Sequence, residues 1–568
     1  MHKPFLKIAL LAGVALAPLP ALAQQIDSGW SPVDDSYASS DEAPDDAAPV
    51  SKKRGKKRAE PRVEVVPYIE AQQVLVADLK NGGDVLTYSA VAAGVDASVA
   101  TRRAEAQVSL RYERLIGYDN GVDDQDIITG LARGSLAVTR NLSLEAGGVA
   151  ARSRVDGRGA APTNLVGNPD NITQVYSVYG GPTFAAQAGD LSINAAYRAG
   201  YSKVEDKNIV VLPAGQQRFD QFDDSVSQLA TASVGMQPGP LPIGWAVSGS
   251  WQREDAGQLD GRFDGKYVRG DVTVPVSPTL ALVGGAGYED IEISERDALR
   301  DAGGVPIVGT DGRLVKDPNS PRLIAYQTDG LIWDAGVLWR PSPRTSVEAR
   351  YGRRYGSDIY IGSLSYRPGR DWAVNVSVYD TVTGFGSLLN DNLAALPTQF
   401  RTVRNPLSGD LGGCAFGQSG GLCLNDALQN ASSAAFRQRG VTASFSGTTG
   451  GWDTGVALGY NRRKAIASPL GAQALINGVT DEFFFAAASL GTSIDQRTRF
   501  ESNIYASYFD SGFASANDVL QTGANAALYR QIIRGLSARA AVGLDSYRQE
   551  NFDSELTASA LLGLRYSF

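Results

Sequence analysis

Histidine and cysteine are the residue types that would carry nucleophilic, general-base or soft-metal chemistry, and this chain has almost none of either. Its one histidine is His2, and its two cysteines are Cys414 and Cys423. His2 falls in a segment read below as a removed export signal, which leaves the mature chain without histidine. That excludes Ser-His-Asp and Cys-His nucleophilic catalysis, histidine general bases and histidine-ligated metals. No enzymatic activity, cofactor or metal site is expected. A carboxylate-only mechanism of the glycosidase kind is conceivable in principle, but no pair stands out among the 61 acidic residues.

The two cysteines lie in a glycine-rich stretch, Gly412-Gly413-Cys414-Ala415-Phe416-Gly417-Gln418-Ser419-Gly420-Gly421-Leu422-Cys423. In an oxidising compartment two cysteines this close in sequence are expected to form a loop disulfide. The other candidate chemistry is charge. From residue 62 onward arginine far outnumbers lysine, whose only positions there are Lys80, Lys203, Lys207, Lys266, Lys316 and Lys464. Arg103, Arg111, Arg350, Arg539 and Arg565 fall on polar faces near Glu105, Glu113, Glu348, Asp545 and Glu555. Such mixed signs read first as cross-strand ion pairs that satisfy one another. A guanidinium ladder that handles carboxylated or phosphorylated solutes is the functional alternative. Arg111, Glu113, Glu348, Arg350, Arg539 and Arg565 are therefore the candidate lumen charges of whatever wall carries them.

The start of the chain reads as an address. Lys3 and Lys7 precede the apolar run Ile8–Leu16, and Ala21-Leu22-Ala23 precede Gln24. A positive region, an apolar region and a small-x-small site form a secretory signal over residues 1–23, cut after Ala23 with Ala21 as the other small residue. Removing two lysines leaves 51 basic against 61 acidic residues. Residues 24–61 follow with an acidic block, Asp34 to Asp46, and then a basic block, Lys52 to Arg58. Their low apolar content cannot sustain a fold, so a disordered periplasmic tail is expected. Its basic block could tether anionic lipid or a periplasmic or envelope partner. An exported chain has no nucleic-acid partner to meet.

From 62 to 568 the pattern changes to long segments that alternate apolar and polar residues, separated by turn residues. In the last, Leu556, Ala558, Ala560, Leu562, Leu564, Tyr566 and Phe568 share one face, against Thr557, Ser559, Gly563, Arg565 and Ser567. Another sets Leu331, Trp333, Ala335, Val337 and Trp339 against Asp334 and Arg340, and a third sets Ala106, Val108, Leu110 and Tyr112 against Gln107, Ser109, Arg111 and Glu113. A soluble sandwich would bury the apolar face, whereas a transmembrane barrel shows it to lipid. Segment length decides between them: roughly 9–11 tilted residues span a bilayer, and soluble strands average about 5–6. Mean hydropathy is −0.16, and no apolar run reaches the roughly 20 residues of a membrane helix.

About 22 strands fit, within a range of 20–24. Turns after even-numbered segments are tight, as at Arg140-Asn141, Gly189-Asp190 and Gly450-Gly451, while long connections at 156–170, 205–224, 294–325, 383–434 and 467–480 follow odd-numbered ones. Short turns on one rim and long loops on the other are the asymmetry of outer-membrane barrels. The reading is all-β: a single antiparallel transmembrane barrel over 62–568 after the 24–61 tail.

The chain closes Gly563-Leu564-Arg565-Tyr566-Ser567-Phe568. This resembles the C-terminal signature of Gram-negative outer-membrane β-barrels, a glycine followed by aromatics two apart with Phe last. The resemblance implies that Gly563, Tyr566 and Phe568 are read by the barrel-assembly machinery, and that the protein resides in the outer membrane among its lipid and lipopolysaccharide. The whole region resembles the large β-barrel porins, some of which are associated with exopolysaccharide systems. Porin-like passage of hydrophilic solutes is the expected function. The alternatives are the barrel of an exopolysaccharide or other export route, and a structural outer-membrane barrel.

About 22 strands imply a backbone diameter of roughly 45 Å, which wall side chains cannot fill. The 24–61 tail is too short and too polar to plug it. The 383–434 segment, with its two cysteines and a helix-like stretch over 425–435, is the expected constriction if it enters the lumen rather than standing outside.

Overall fold

The computed structural model describes residues 62–80, 85–118, 124–154, 172–205, 222–369, 371–417, 420–428, 431–512, 518–549 and 554–568. The expected signal with Ala21 and Ala23, and the tail over 24–61, lie outside the described residues.

Twenty-two strands form one sheet. The first nine are β1 (Arg62–Asp78), β2 (Val85–Ala100), β3 (Ala104–Gly117), β4 (Gln125–Ala137), β5 (Leu142–Arg154), β6 (Ile172–Ala188), β7 (Leu191–Glu205), β8 (Asp224–Met236) and β9 (Gly244–Ala256). Next come β10 (Arg262–Ser277), β11 (Leu280–Glu295), β12 (Leu323–Ser342), β13 (Thr345–Arg354), β14 (Ser357–Tyr366) and β15 (Trp372–Thr383). An insertion then carries helix α1 (Phe385–Ala395), a small sheet of β16 (Arg401–Arg404), β17 (Leu411–Gly417) and β18 (Gly420–Cys423), and a short helix α2 (Asn425–Leu428). The wall resumes with β19 (Ala435–Thr449), β20 (Trp452–Ile466), β21 (Thr480–Ser493), β22 (Thr498–Asp510), β23 (Val519–Ile533), β24 (Leu536–Gln549) and β25 (Glu555–Ser567).

Each wall strand pairs antiparallel with its neighbours, β15 pairs with β19 across the insertion, and β25 pairs with β1 from Tyr68↔Ser567 to Asp78↔Thr557. The sheet is therefore closed. Closure removes the two free edges an open sheet would have, as a sheet that sits in hydrocarbon requires. The period-two pattern sorts the side chains as expected. Leu331, Leu562, Val268 and Tyr360 are strongly exposed on the outer face, whereas Ser109, Arg111, Asp334 and Ser559 are buried on the inner one. The inner wall is not uniformly polar: Leu561, an inward residue, is apolar and 2% exposed, because the inner wall itself carries apolar patches where something packs against it.

The outer face bears aromatic rows at two levels. Tyr366, Trp372 and Phe445 contact one another near the short-turn rim, with centroids 5.6 and 6.0 Å apart. Tyr460, Phe484 and Tyr508 form a second row nearer the long-loop rim. Short turns close the opposite rim, several of them of two residues, as at 189–190, 278–279 and 450–451. At Gly450-Gly451 both φ values are positive, +60° and +84°, as a turn matching the twist of a hairpin requires. A closed barrel, apolar outside, girdled by aromatics and short-turned on one rim, is the architecture of a bacterial outer-membrane protein, and the protein resides in that membrane.

Candidate functional site: a folded segment inside the lumen

The insertion between β15 and β19 turns inward. Helix α1 starts at Gly384, whose extended backbone (φ −98°, ψ 172°) offers no side-chain cap. The acceptor comes from the wall instead. Glu254 of β9, 4% exposed, takes the N–H of Gly386 at 3.0 Å and of Ser387 at 2.9 Å. A carboxylate here satisfies two orphan donors and faces the positive end of the helix dipole. Space forces the glycines: a Cβ on Gly386 would sit 2.1 Å from Ser225 Oγ, and one on Gly384 2.5 Å from Glu254 Oε2. The helix ends before Leu396, which is extended and precedes Pro397.

One face of α1 is apolar. Phe385, Leu388, Leu389 and Leu393 are at most 1% exposed and pack against Val149, Val175 and Val204 of β5, β6 and β7, with Phe222 beside them. The Phe222 and Phe385 rings are 4.8 Å apart. Burying each such side chain is worth roughly 1.5–3 kcal/mol before the cost of ordering the segment. A polar contact fixes the register. Asn390 accepts from Ser177 Oγ at 2.7 Å and donates to Ser227 Oγ at 2.9 Å, both on the wall. Arg198 of β7 donates to Asp391 at 2.9 Å. Burial nevertheless pushes the Asp391 carboxyl up to about 6; Arg198 opposes that rise and Glu254 adds to it.

Past α1, Phe400 N–H donates to Gln107 Oε1 at 2.9 Å and Thr398 to Glu105 at 2.8 Å, both on β3. Arg404 of β16 donates to Thr129 Oγ1 at 2.7 Å and to Ser109 O at 3.2 Å. Its acceptors are neutral, and burial lowers its pKa from the ordinary arginine value. The turn at 405–410 then reaches the arginines of the wall. Gly409 has φ +71°, and a Cβ there would lie 2.7 Å from Arg111 Nε. Asp410 is bound by Arg152 of β5, with Nε to Oδ1 at 2.6 Å. Leu407 enters an apolar patch made by Val74, Tyr88, Leu115, Ala541 and Leu561. Cys414 packs on Ala457, Phe483, Phe509 and Val519. The segment thus touches the wall from β19 through β25 and on from β1 to β9. It stands inside, not outside.

The candidate lumen charges form two networks. Arg111 binds Glu70 and Glu113, while Arg565 lies 3.5 Å and Arg539 4.0 Å from the same Glu70. Arg565 also bonds Asp96 at 2.9 Å, and Arg539 bonds Gln72. In the second network Arg350 bonds Glu348 at 2.5 Å, Asp334 at 2.9 Å and Asp271 at 3.1 Å, and Arg269 bonds Asp271 and Asp334 at 2.6 and 2.8 Å. The expected neighbours of Arg111 and Arg350 are in place. Those of Arg539 and Arg565 are not: six and ten residues along a strand are too far for contact with Asp545 and Glu555, and the carboxylates that serve them come from β1 and β2. Sequence reasoning missed Glu70, Asp334, Glu254 and Asn390. The only advance signal was that Glu70, Asp334 and Glu254 are polar residues on inward strand faces; Asn390, on α1, gave none.

Cys414 stands directly opposite Cys423 in the β17–β18 register. The expected helix at 425–435 is corrected to Asn425–Leu428, since the wall strand already begins at Ala435, and the main helix is α1, forty residues earlier. At the C-terminus Phe568 is 70% exposed, its N–H bonds Pro67 O at 3.0 Å, and its ring meets Tyr566 edge-on at 5.0 Å. Gly563 lies against β1, where a Cβ would come within 3.1 Å of Gln72 Cβ. Among the described residues no group of His, Cys, Asp and Glu is arranged to hold a metal ion.

No protein-family description matches the sequence, and no curated protein matches it. Solved structures with a similar chain path include the ferric-catecholate import receptor Fiu of E. coli K12 in its closed form, at 12% identity and a TM-score of 0.43, covering 88% of this chain and 81% of that one. The FrpB iron transporter of Neisseria meningitidis (F5-1 variant) aligns at 11% identity and 0.39, covering 89% and 82%. The copper transporter OprC aligns at 11% and 0.37, covering 88% and 80%.

Proposed function

We propose that the protein is a gated outer-membrane channel that passes a hydrophilic solute when the segment at 384–434 leaves its docked position. The observation that carries this reading is the position of that segment: Glu254, Ser177, Ser227 and Arg152 hold it on β5 to β9 of the inner wall, while Leu407 and Cys414 pack on apolar patches contributed by β1 to β4 and by β20 to β25. A permanently open porin would not need a helix whose cap, register and apolar contacts are all supplied by the wall. The inner charges pair among themselves, which supports passage of polar solutes with modest ion selectivity and supports transport rather than catalysis. The reading includes assembly through Gly563, Tyr566 and Phe568 by the barrel-assembly machinery, and a disulfide between Cys414 and Cys423 that stiffens the segment.

The test is planar-bilayer conductance of the full chain beside a variant in which residues 385–433 are replaced by a short Gly-Ser linker. The wild type should be closed or show brief low-conductance openings, and the variant should conduct steadily. Equal conductance in both would remove the gate, and silence in both would point to a structural barrel. Should the shortened chain fail to assemble, Leu389→Asp, which places a charge in the α1 contact, should open the pore in the same way.

A further inference from the structure

The seam between β14 and β15 is paired only from Gly362↔Val378 to Tyr366↔Val374, five positions at the short-turn end. Each other wall seam is paired over at least eight among the described residues. Five residues of a strand tilted near 40° rise roughly 13 Å, about half of the roughly 25 Å apolar band. Above them Ser357–Ile361 and Tyr379–Thr383 run on with no ladder between them, although β13 pairs with all of β14 and β19 with all of β15. Tyr360 lies in that stretch. Its ring is 5.3 Å from Tyr351, which meets Trp333 at 6.2 Å, so the break stands at the height of outer-face aromatics.

The side chains show how the wall closes there. Val378 and Val441 are exposed to lipid, and by register Asp380, Val382, Arg437 and Arg439 share their face. Yet Asp380 is 7% and Val382 3% exposed. Val382 packs in one cluster with Phe263, Ile291 and Ile293, inward residues of β10 and β11, and with Tyr355 and Ile359 of the β13–β14 hairpin. Arg437 donates to Ser357 Oγ at 2.6 Å and Arg439 to Asp358 O at 3.0 Å. The upper ends of β15 and β19 therefore pass inside the hairpin, and the wall overlaps itself instead of continuing its ladder. The β4–β5 ladder also stops short, but there Arg152 is held by Asp410 of the inner segment. Here no described member of the cluster belongs to that segment.

Tyr355 latches the overlap. It is a bulky residue at φ +56°, followed by Gly356 at +70°, a backbone that such a side chain keeps only where its surroundings hold it. Its ring lies between two guanidinium groups, Arg354 at 4.7 Å and Arg437 at 5.2 Å, and Arg354 binds Glu289 of β11. A joint made of side chains can part without breaking a backbone ladder.

We propose that the β14–β15 overlap is a lateral portal through which a single-chain amphiphile with an anionic head, a fatty acid in chemical class, passes between the lumen and the outer leaflet. Parting the joint uncovers Phe263, Ile291, Ile293, Ile359 and Val382 for the chain. For the head, the guanidinium groups of Arg354, Arg437 and Arg439 stand against the two carboxylates of Glu289 and Asp380. The route is separate from passage down the lumen and rests on no contact of the 384–434 segment.

The experiment is photolabelling of the full-length barrel in liposomes with a diazirine-bearing hexadecanoic acid, read as labelled peptides by mass spectrometry. The wild type should be labelled around Ile291 and Val382 as well as on the lipid face. Tyr355→Gly and, separately, Arg437→Ala should raise that joint labelling about threefold, as loss of a cation–π contact implies, with unchanged heat-modifiable mobility on gels. Ser357→Cys with Arg439→Cys, in a Cys414→Ser, Cys423→Ser background, should lose joint labelling when bridged by a short bismaleimide and keep the labelling of Leu562. Label confined to the lipid face in the wild type and both loosened variants would overturn the portal, and so would joint labelling that survives the bridge. Equal joint labelling by a diazirine-bearing butanoic acid would overturn the long-chain amphiphile as what passes.

Discussion

Glu254 Oε2 accepts the N–H of Ser387 at 2.9 Å, joining the ninth wall strand to a helix that begins 130 residues later. The same carboxylate takes Gly386 N–H, so the start of α1 exists as a capped helix only while it is docked. Glu254→Ala should cost about 1–2 kcal/mol of docking, the range for a lost cap, and should leave the barrel itself folded. Faster proteolytic cleavage within 385–400, at unchanged heat-modifiable mobility, is the expected readout. Unchanged cleavage would mean that the apolar face of α1 holds the helix without the cap.

The state of the segment should also depend on pH. Asp391 is raised by burial to about 6 in the docked segment, against about 3.9 for a solvated aspartate. A raised carboxyl favours the protonated form, so its contribution to docking is fully present below about 4 and is lost as pH rises through about 6. Protection of 385–400 from proteolysis should be greater at pH 5 than at pH 7.5. Asp391→Asn should flatten that difference, because Arg198 is partly solvated and tolerates the loss of its partner. A profile unchanged by the substitution would assign the pH response to another group.

The cysteines give a third measurement. With Cys414 and Cys423 opposite each other on β17 and β18, neighbours in the small three-stranded sheet, the protein isolated from cells should take up no thiol-alkylating reagent when denatured without reductant, and two equivalents after reduction. Labelling without reduction would remove the disulfide. Cys414→Ser should loosen the ribbon and leave the wall intact, because β17 belongs to the small inner sheet and not to the barrel.

What was legible in the sequence follows from distance along the chain. Each wall strand shows its inner and outer faces in its own alternation, so Leu562, Leu564 and Tyr566 disclose the lipid side without knowledge of any partner. Arg111 with Glu113, and Glu348 with Arg350, are two apart on one strand and therefore on one face. The filling of the lumen leaves no such local signature. Helix α1 carries no cap of its own, its acceptor Glu254 is remote, and its leucines are matched by Val149, Val175 and Val204, which lie on inward faces that otherwise read as polar. The stretch around 425–435 looked more helical because its alanines favour helix and an asparagine suits a helix N-terminus, yet the wall claims Ala435 onward for β19.

Glu70 is the clearest case of a partner supplied from afar, and it yields the last prediction. It is 8% exposed, and Arg111, Arg539 and Arg565 all lie within 4.0 Å of it from β3, β24 and β25. These strands flank the β1–β25 seam that closes the barrel. Replacing Glu70 with Gln leaves three guanidinium groups converging on a neutral amide. Removing one partner of a buried pair costs about 3–5 kcal/mol; here Glu113, Asp96 and Gln72 retain part of the bonding, so the lower end of that range is expected. The barrel should unfold at lower temperature in a gel-mobility series, and a channel freed of its inner segment should shift toward anion selectivity as the seam gains positive charge. Reversal potentials in a salt gradient measure that shift. An unchanged reversal potential would show that the seam charges do not face the conducting path.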